Sequence, residues 1–164
     1  QQAIAKYGEA EIIPADMPCY RRAFEGILDS LEQISPLVEG SNLGCAYLGL
    51  NGLEGIYPDL ASLTDAVRKA IPVVYEARMG IAEGKFIAYL AALYSEAGKC
   101  RILKGDIEAF LRDISCDALP VSQRNKKKLH DFGLHTLGQA AQLPPGPLQA
   151  QLGYEGKRIG ELAA

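Results

Sequence analysis

The chain has 164 residues, 48% of them hydrophobic and 23% charged, and a formal net charge of −3. That balance is globular and excludes a disordered tail, a coiled coil and a collagen-like repeat. No apolar run approaches the roughly 20 residues that a membrane span needs, and the opening Gln-Gln lacks both Met and a basic-then-apolar leader, as expected of a cytoplasmic protein or of a piece cut from a longer one.

The front of the chain reads as mixed α and β. Glu11-Ile12-Ile13-Pro14 is a short extended run ended by Pro. Asp16 is placed to cap a helix over 18–34, with Phe24, Ile27, Leu28, Leu31 and Ile34 as its apolar stripe. Two strands follow over 36–39 and 45–50, joined by a Gly/Ser/Asn turn. The spacing of Leu60, Leu63, Val67, Ala70 and Ile71 predicts a helix over 60–74. A strand over 76–82, an apolar helix over 85–97 ended by Gly98, and a strand over 100–103 complete the half. This strand-strand-helix-strand-helix-strand order predicts an α+β fold, a partial ferredoxin-like sheet with helices on one face.

The back changes character. Asp106 caps a predicted helix over 107–113, and short helices follow near 122–132, 136–142, 146–152 and 156–163, punctuated by Gly and Pro. A boundary near Ser115–Pro120 divides an α+β domain, 1–115, from a small all-helical domain, 116–164. About 45 residues are few for an independent core, so the second part is expected to pack on a neighbour or a ligand.

Charge is unevenly spread. Residues 1–60 carry 3 basic and 9 acidic side chains, whereas residues 112–164 carry 7 and 5. An acidic front and a mildly basic back fit a protein that touches a polyanion with one part only. Arg124, Lys126, Lys127, Lys128 and His130 fall on one predicted helix. They read as a phosphate-tracking face or as a solvated one. Lys157 and Arg158, beginning the last helix, are a weaker case of the same kind. The four cysteines, 19, 45, 100 and 116, form no Cys-x-x-Cys motif and are expected to be reduced thiols. His130 and His135 are five apart, off any helical same-face spacing, and no metal site is expected there. Tyr47, Tyr75, Tyr89 and Tyr94 sit on predicted apolar faces, as core rather than as base-stacking platforms.

Several segments in chain order resemble the Y-family (translesion, UmuC-like) DNA polymerases. Pro14 to Tyr20 is similar to that family's "VPADxxxY" link, and Pro36-Leu-Val-Glu39 with Ala46-Tyr-Leu48 to its "SPxVE…SxDEAYLD" segment. Gly80-Ile-Ala-Glu-Gly-Lys85 resembles "GIAxNK", where a palm strand feeds a helix. Phe110-Leu111 before Leu119-Pro120 resembles the passage from palm to thumb. Phe132-Gly-Leu-His-Thr-Leu-Gly138, Ala140-Ala-Gln-Leu-Pro144 and Gln151-Leu-Gly153 resemble the thumb's helix-hairpin-helix-like "LGIxTIGDLAxLP…FG". The resemblance implies the C-terminal part of a palm, 1–115 with its first strand missing, followed by a thumb, 116–164, that binds DNA.

Two departures from the family pattern carry the functional expectation. The resemblance implies two adjacent metal-binding acids before Ala46-Tyr-Leu48, a third carboxylate on the family's first strand, and a further acid after Leu48; here the positions around Ala46-Tyr-Leu48 are Gly44, Cys45 and Gly49. A glycine and a thiol cannot supply the hard oxygen ligands that Mg2+ and phosphoryl transfer require. Lys85 keeps the position of a triphosphate-contacting lysine, although it reads also as a solvated lysine at a helix start. Where the thumb commonly has a Gly-Ile-Gly hairpin whose amides hold a DNA phosphate, this chain has Pro120-Val-Ser122. Ser122 remains a cap whose helix N-terminus attracts phosphate.

The pattern is most similar to the catalytically silent, ImuB-like branch of bacterial damage-induced (SOS) mutagenesis. That likeness implies a nucleoid-associated accessory DNA-repair protein without catalytic residues, with no cofactor and with DNA contacts from Ser122, Arg124, Lys126, Lys127, Lys128, Lys157 and Arg158. It also implies a separate polymerase and a sliding clamp as partners, reached through regions outside these residues. Two alternatives stay open. One is an active error-prone polymerase whose Mg2+ site is rebuilt from Glu39, Glu54 or upstream acids. The other is a protein-interaction module on an unrelated α+β fold.

Overall fold

The computed structural model describes residues 13–163, so part of the extended run expected over 11–14 lies outside the described residues. The chain forms two compact units, Gln1–Ala77 and Arg78–Ala164.

In the first unit, helix α1 (Met17–Glu32) begins as its sequence requires. The Asp16 carboxylate accepts from the Cys19 amide at 2.9 Å, and a proline stands in the first turn, where no intrahelical donor is needed. Strands β1 (Val38–Gly40) and β2 (Ala46–Leu48) pair antiparallel, with Glu39 opposite Tyr47. Buried Ser35 fastens the open end of the pair. Its hydroxyl donates to the Gly49 carbonyl at 2.7 Å and accepts from the Leu37 amide at 3.2 Å. Helix α2 (Leu60–Ala70) is capped by Asp59, which accepts from Ser62 N at 2.7 Å. The helix stops short of the expected Val74 because Pro72 has no amide to donate and disfavours helical geometry in the residue before it. A 3-10 turn over Val73–Tyr75 follows and leaves all three of its side chains exposed, so Tyr75 is not core.

In the second unit, β3 (Met79–Ile81) and β4 (Cys100–Ile102) pair parallel, and helix α3 (Lys85–Leu93) packs on them. The contact is close because Gly80 has no side chain. A Cβ there would lie 2.2 Å from the Ala88 carbonyl oxygen and 2.3 Å from the Ala92 nitrogen. Helix α3 ends before the expected Ala97, with the Ser95 hydroxyl donating to the Ala92 carbonyl at 2.9 Å. Tyr89 and Tyr94, expected in the core, are exposed, and the Tyr94 ring stands edge-to-face with Phe110, their centroids 6.4 Å apart. An apolar helix with few polar residues cannot bury its whole circumference on a two-stranded sheet, and Tyr is the residue that tolerates the wet side. Tyr47, in the first unit, is half-buried.

The chain continues through α4 (Ile107–Arg112), a 3-10 turn (Cys116–Ala118), α5 (Gln123–Asp131), α6 (Leu137–Ala141), α7 (Pro145–Leu152) and α8 (Tyr154–Ala163). Each of the four short helices lies within two residues of its expected bounds. One apolar core runs through them and back to α3, with Leu90, Leu111, Leu119, Leu129, Leu137 and Ile159 almost fully buried. That shared core answers the small size of the helical part. Among the described residues the order of strands and helices is the expected one, and their four strands form two separate two-stranded sheets, one antiparallel and one parallel.

Candidate nucleic-acid interface

Gly44, Cys45 and Gly49, the positions at which acids were expected from the resemblance, flank β2. Gly44 occupies a turn with φ +83, a conformation that glycine adopts at no steric cost. Cys45 is half-buried next to it, its amide donating to the Asn42 carbonyl at 2.8 Å. Gly49 is enclosed by Leu37. A Cβ at Gly49 would lie 2.9 Å from the Leu37 Cβ and 3.0 Å from its Cδ1. An acid is therefore absent from position 49 and would also be crowded there. Among the described residues, no three His, Cys, Asp or Glu side chains are arranged to hold a metal, and Glu39 and Glu54 build no such group.

Lys85 is the first residue of α3 and exposed. Gly84 stands at the cap position with φ +84 and makes no side-chain cap. A cation therefore stands at the helix start, the end that attracts negative charge.

The basic residues of the helical part are all exposed or half-buried, but α5 spreads them. Successive residues turn by about 100° around a helix, and the three consecutive lysines find three different partners. Lys126 Nζ donates to the Asp117 carbonyl at 2.6 Å, Lys128 Nζ to the Gln151 carbonyl at 2.9 Å, and Lys127 pairs with Asp131 at 3.0 Å. Arg124 is exposed on the first turn, and Lys157 pairs with Glu161 at 3.6 Å on α8, next to exposed Arg158.

Ser122 caps α5 as expected, but its own donors are taken. The Glu155 carboxylate, at the start of α8, accepts from the Ser122 amide at 3.0 Å, from its hydroxyl at 2.7 Å, and from Asn125 Nδ2 at 2.6 Å. The Ser122 hydroxyl, then Asn125, holds the Glu155 carboxyl below its ordinary range. The helix end on which a phosphate was expected thus carries an internal carboxylate. Glu155 is 33 residues away in sequence, and only its place in the first turn of a helix marks it as a polar partner.

A second group went unseen in the sequence. The chain leaves α5 through a Schellman turn, with Gly133 at φ +77, Gly133 N donating to His130 O and Leu134 N to Leu129 O. The reversal brings His135 back over His130, with their Nδ1 atoms 2.9 Å apart. On its other side His130 Nε2 meets Asp117 Oδ1 at 2.9 Å, and this bond is the main reason that Asp117 ionises below its ordinary range. The five-residue spacing excludes one helical face, but a glycine between two histidines signals a turn that brings them together.

The cysteines are all free thiols. Cys116 is fully buried, and burial followed by the nearby Asp117 charge pushes its thiol up to about 11.

No protein-family model matches the chain. It is 28% identical over 149 residues to a DNA polymerase IV of Dehalococcoides mccartyi, an alignment covering 88% of this chain and 38% of that one. In structure it is similar to a DinB-family error-prone DNA polymerase from Sulfolobus solfataricus, with a TM-score of 0.81, 20% identity, and coverage of 99% of this chain and 50% of the other. A Y-family DNA polymerase chimera, Dbh-Dpo4(243-245)-Dbh, gives a TM-score of 0.78 at 20% identity, over 99% and 49%. The chain thus spans half or less of the length of these proteins. It has the α+β fold of the C-terminal palm and thumb region of Y-family DNA polymerases, and resembles DNA polymerase IV in sequence along most of its length.

Proposed function

We propose that this chain is the non-catalytic, DNA-contacting part of a Y-family-polymerase-like repair protein that acts as an accessory in translesion synthesis. The observation that carries the reading is the set Gly44, Cys45 and Gly49 within a frame otherwise similar to a polymerase, with position 49 closed by Leu37. Two-metal phosphoryl transfer needs carboxylates that neutralise developing charge, and the described residues offer no such group. Residues 1–115 serve as the palm-like part and 116–164 as the thumb-like part. This division is one of role, since α3 and the later helices share a core.

DNA contact is assigned to side chains of the thumb-like helices: Arg124, Lys126, Lys127 and Lys128 on α5, and Lys157 and Arg158 on α8. These track the backbone without reading bases. The four lysines among them meet exposed carboxylates and backbone carbonyls, weak contacts that a phosphate can replace. Ser122 contributes as the cap of α5 rather than as a free donor, because Glu155 already occupies it. Lys85 contributes a secondary phosphate contact at the α3 terminus. A separate polymerase and a sliding clamp are the partners in this reading, engaged through regions outside residues 1–164.

The test is Mg2+-dependent primer extension by the full-length protein. The reading expects DNA binding without nucleotide incorporation. Incorporation at an ordinary polymerase rate overturns it.

A further inference from the structure

We propose that His130 and His135 form a two-imidazole site for a borderline divalent metal ion of the Ni2+, Cu2+ and Zn2+ type. The two Nδ1 atoms lie 2.9 Å apart, with ring centroids at 5.1 Å and planes tilted by 32°. Two nitrogens that share one such ion, each bound at about 2.0–2.1 Å, stand about 2.9–3.4 Å apart for angles between square and tetrahedral. The rings therefore need to turn rather than travel to point both lone pairs at one ion.

The surroundings favour this use. Asp117 Oδ1 sits 2.9 Å from His130 Nε2, the carboxylate–imidazole arrangement that orients metal-binding histidines. This bond keeps hydrogen on Nε2 when His130 is neutral and leaves its Nδ1 lone pair for a ligand. The Ser115 hydroxyl, 3.2 Å from Asp117 Oδ2, steadies that carboxylate in turn. His135 is held through its backbone, its carbonyl accepting from Cys116 N at 2.9 Å beside the Ser115–Thr136 bridge.

The hydrogen shared between the two Nδ1 atoms has to leave for both lone pairs to face one ion, and solvent carries it to a free ring nitrogen. The protein supplies two ligands; water or an anionic oxygen fills the rest, since no third His, Cys, Asp or Glu converges there among the described residues. A nitrogen pair selects imidazole-preferring ions over Mg2+ or Ca2+, which take oxygen. His135 is exposed and His130 half-buried, so the site is open to solvent. This inference is independent of the DNA reading.

The test is calorimetric titration of the chain with NiCl2, CuCl2 and ZnCl2, with MgCl2 as control. The expected result is one saturable ion per chain, none with Mg2+, and loss of binding in His130→Gln and in His135→Gln. Asp117→Asn is expected to weaken binding about 10–100-fold, and circular dichroism checks that each variant is folded. His135→Gln, on an exposed turn, keeps the test valid if His130→Gln does not fold. Absence of saturable binding at millimolar metal overturns the proposal. So does binding that persists in the double histidine variant, which would assign it to the thiols.

Discussion

Gly80→Ala tests whether the closeness of β3 to α3 is what position 80 enforces. The added Cβ would lie 2.2 Å from the Ala88 oxygen, 2.3 Å from the Ala92 nitrogen and 2.8 Å from the Ala91 carbonyl carbon. All three are backbone atoms, so no side-chain rotation relieves the overlap. Restoring ordinary contact near 3.5 Å requires strand and helix to part by about 1 Å. That movement opens the packing around Leu90 and Ala91, both fully buried. Overpacking costs about 1–3 kcal/mol, and a backbone-on-backbone clash puts this variant at the upper limit, about 3 kcal/mol. For a unit of this size each kcal/mol moves the melting temperature by about 4–8 °C, so a fall of about 12–24 °C is expected. Gly84→Ala is the control. Its φ of +84 with ψ of 143 is open essentially to glycine alone, while nothing lies within 4 Å of the added carbon, so it carries conformational strain without overlap, about 1–3 kcal/mol. Urea unfolding followed by far-ultraviolet circular dichroism reads both variants. A Gly80→Ala protein within about 0.5 kcal/mol of the parent, the usual spread for surface substitutions, would refute the reasoning.

Three further outcomes are expected. Glu155 ionises below its ordinary 4.5 because Ser122 and Asn125 bind its charged form; its contribution is therefore present above 4.5 and disappears as pH falls through the lower folded value. Unfolding curves of Glu155→Gln and the parent should differ at neutral pH and converge in acid, and a constant difference across that range would contradict the assignment. Cys116, buried and pushed up to about 11, should resist iodoacetamide at pH 8 in the folded protein while exposed Cys19 reacts; mass spectrometry of the labelled peptides decides it. Restoring acids through Gly44→Asp, Cys45→Glu and Gly49→Asp together should give no Mg2+-dependent primer extension, and Gly49→Asp alone should cost about 1–3 kcal/mol through its overlap with Leu37.

Much of the helix placement was legible because its signals are local. Ser122, Asp106 and Asp16 accept from the third residue onward, and Thr136 with Gln139 completes a capping box. Strands were legible in order but not in length. Each spans only three residues, too few for alternation to fix their ends. The lysine run shows a different limit. Adjacency in sequence suggested one cationic face, whereas helical geometry sends Lys126, Lys127 and Lys128 to three partners. Glu155 on Ser122 and Asp117 on His130 are contacts across long separations, which no residue spacing encodes, whereas the His130–His135 pair is marked only by the glycine turn between them. The exposed Tyr75, Tyr89 and Tyr94 were misassigned because an apolar stripe in sequence does not reveal how much partner surface the fold supplies.

The most direct test of the central claim is fluorescence anisotropy of a labelled primer–template duplex titrated with this chain, from low to physiological salt. A parallel series uses Lys126→Ala/Lys127→Ala/Lys128→Ala. The account predicts binding that weakens as salt rises, and a triple variant with lower affinity and a salt slope reduced by about 0.9 for each phosphate that is no longer neutralised. Absence of binding at low salt, or a triple variant with the parent's affinity and slope, would contradict the placement of DNA on the thumb-like helices.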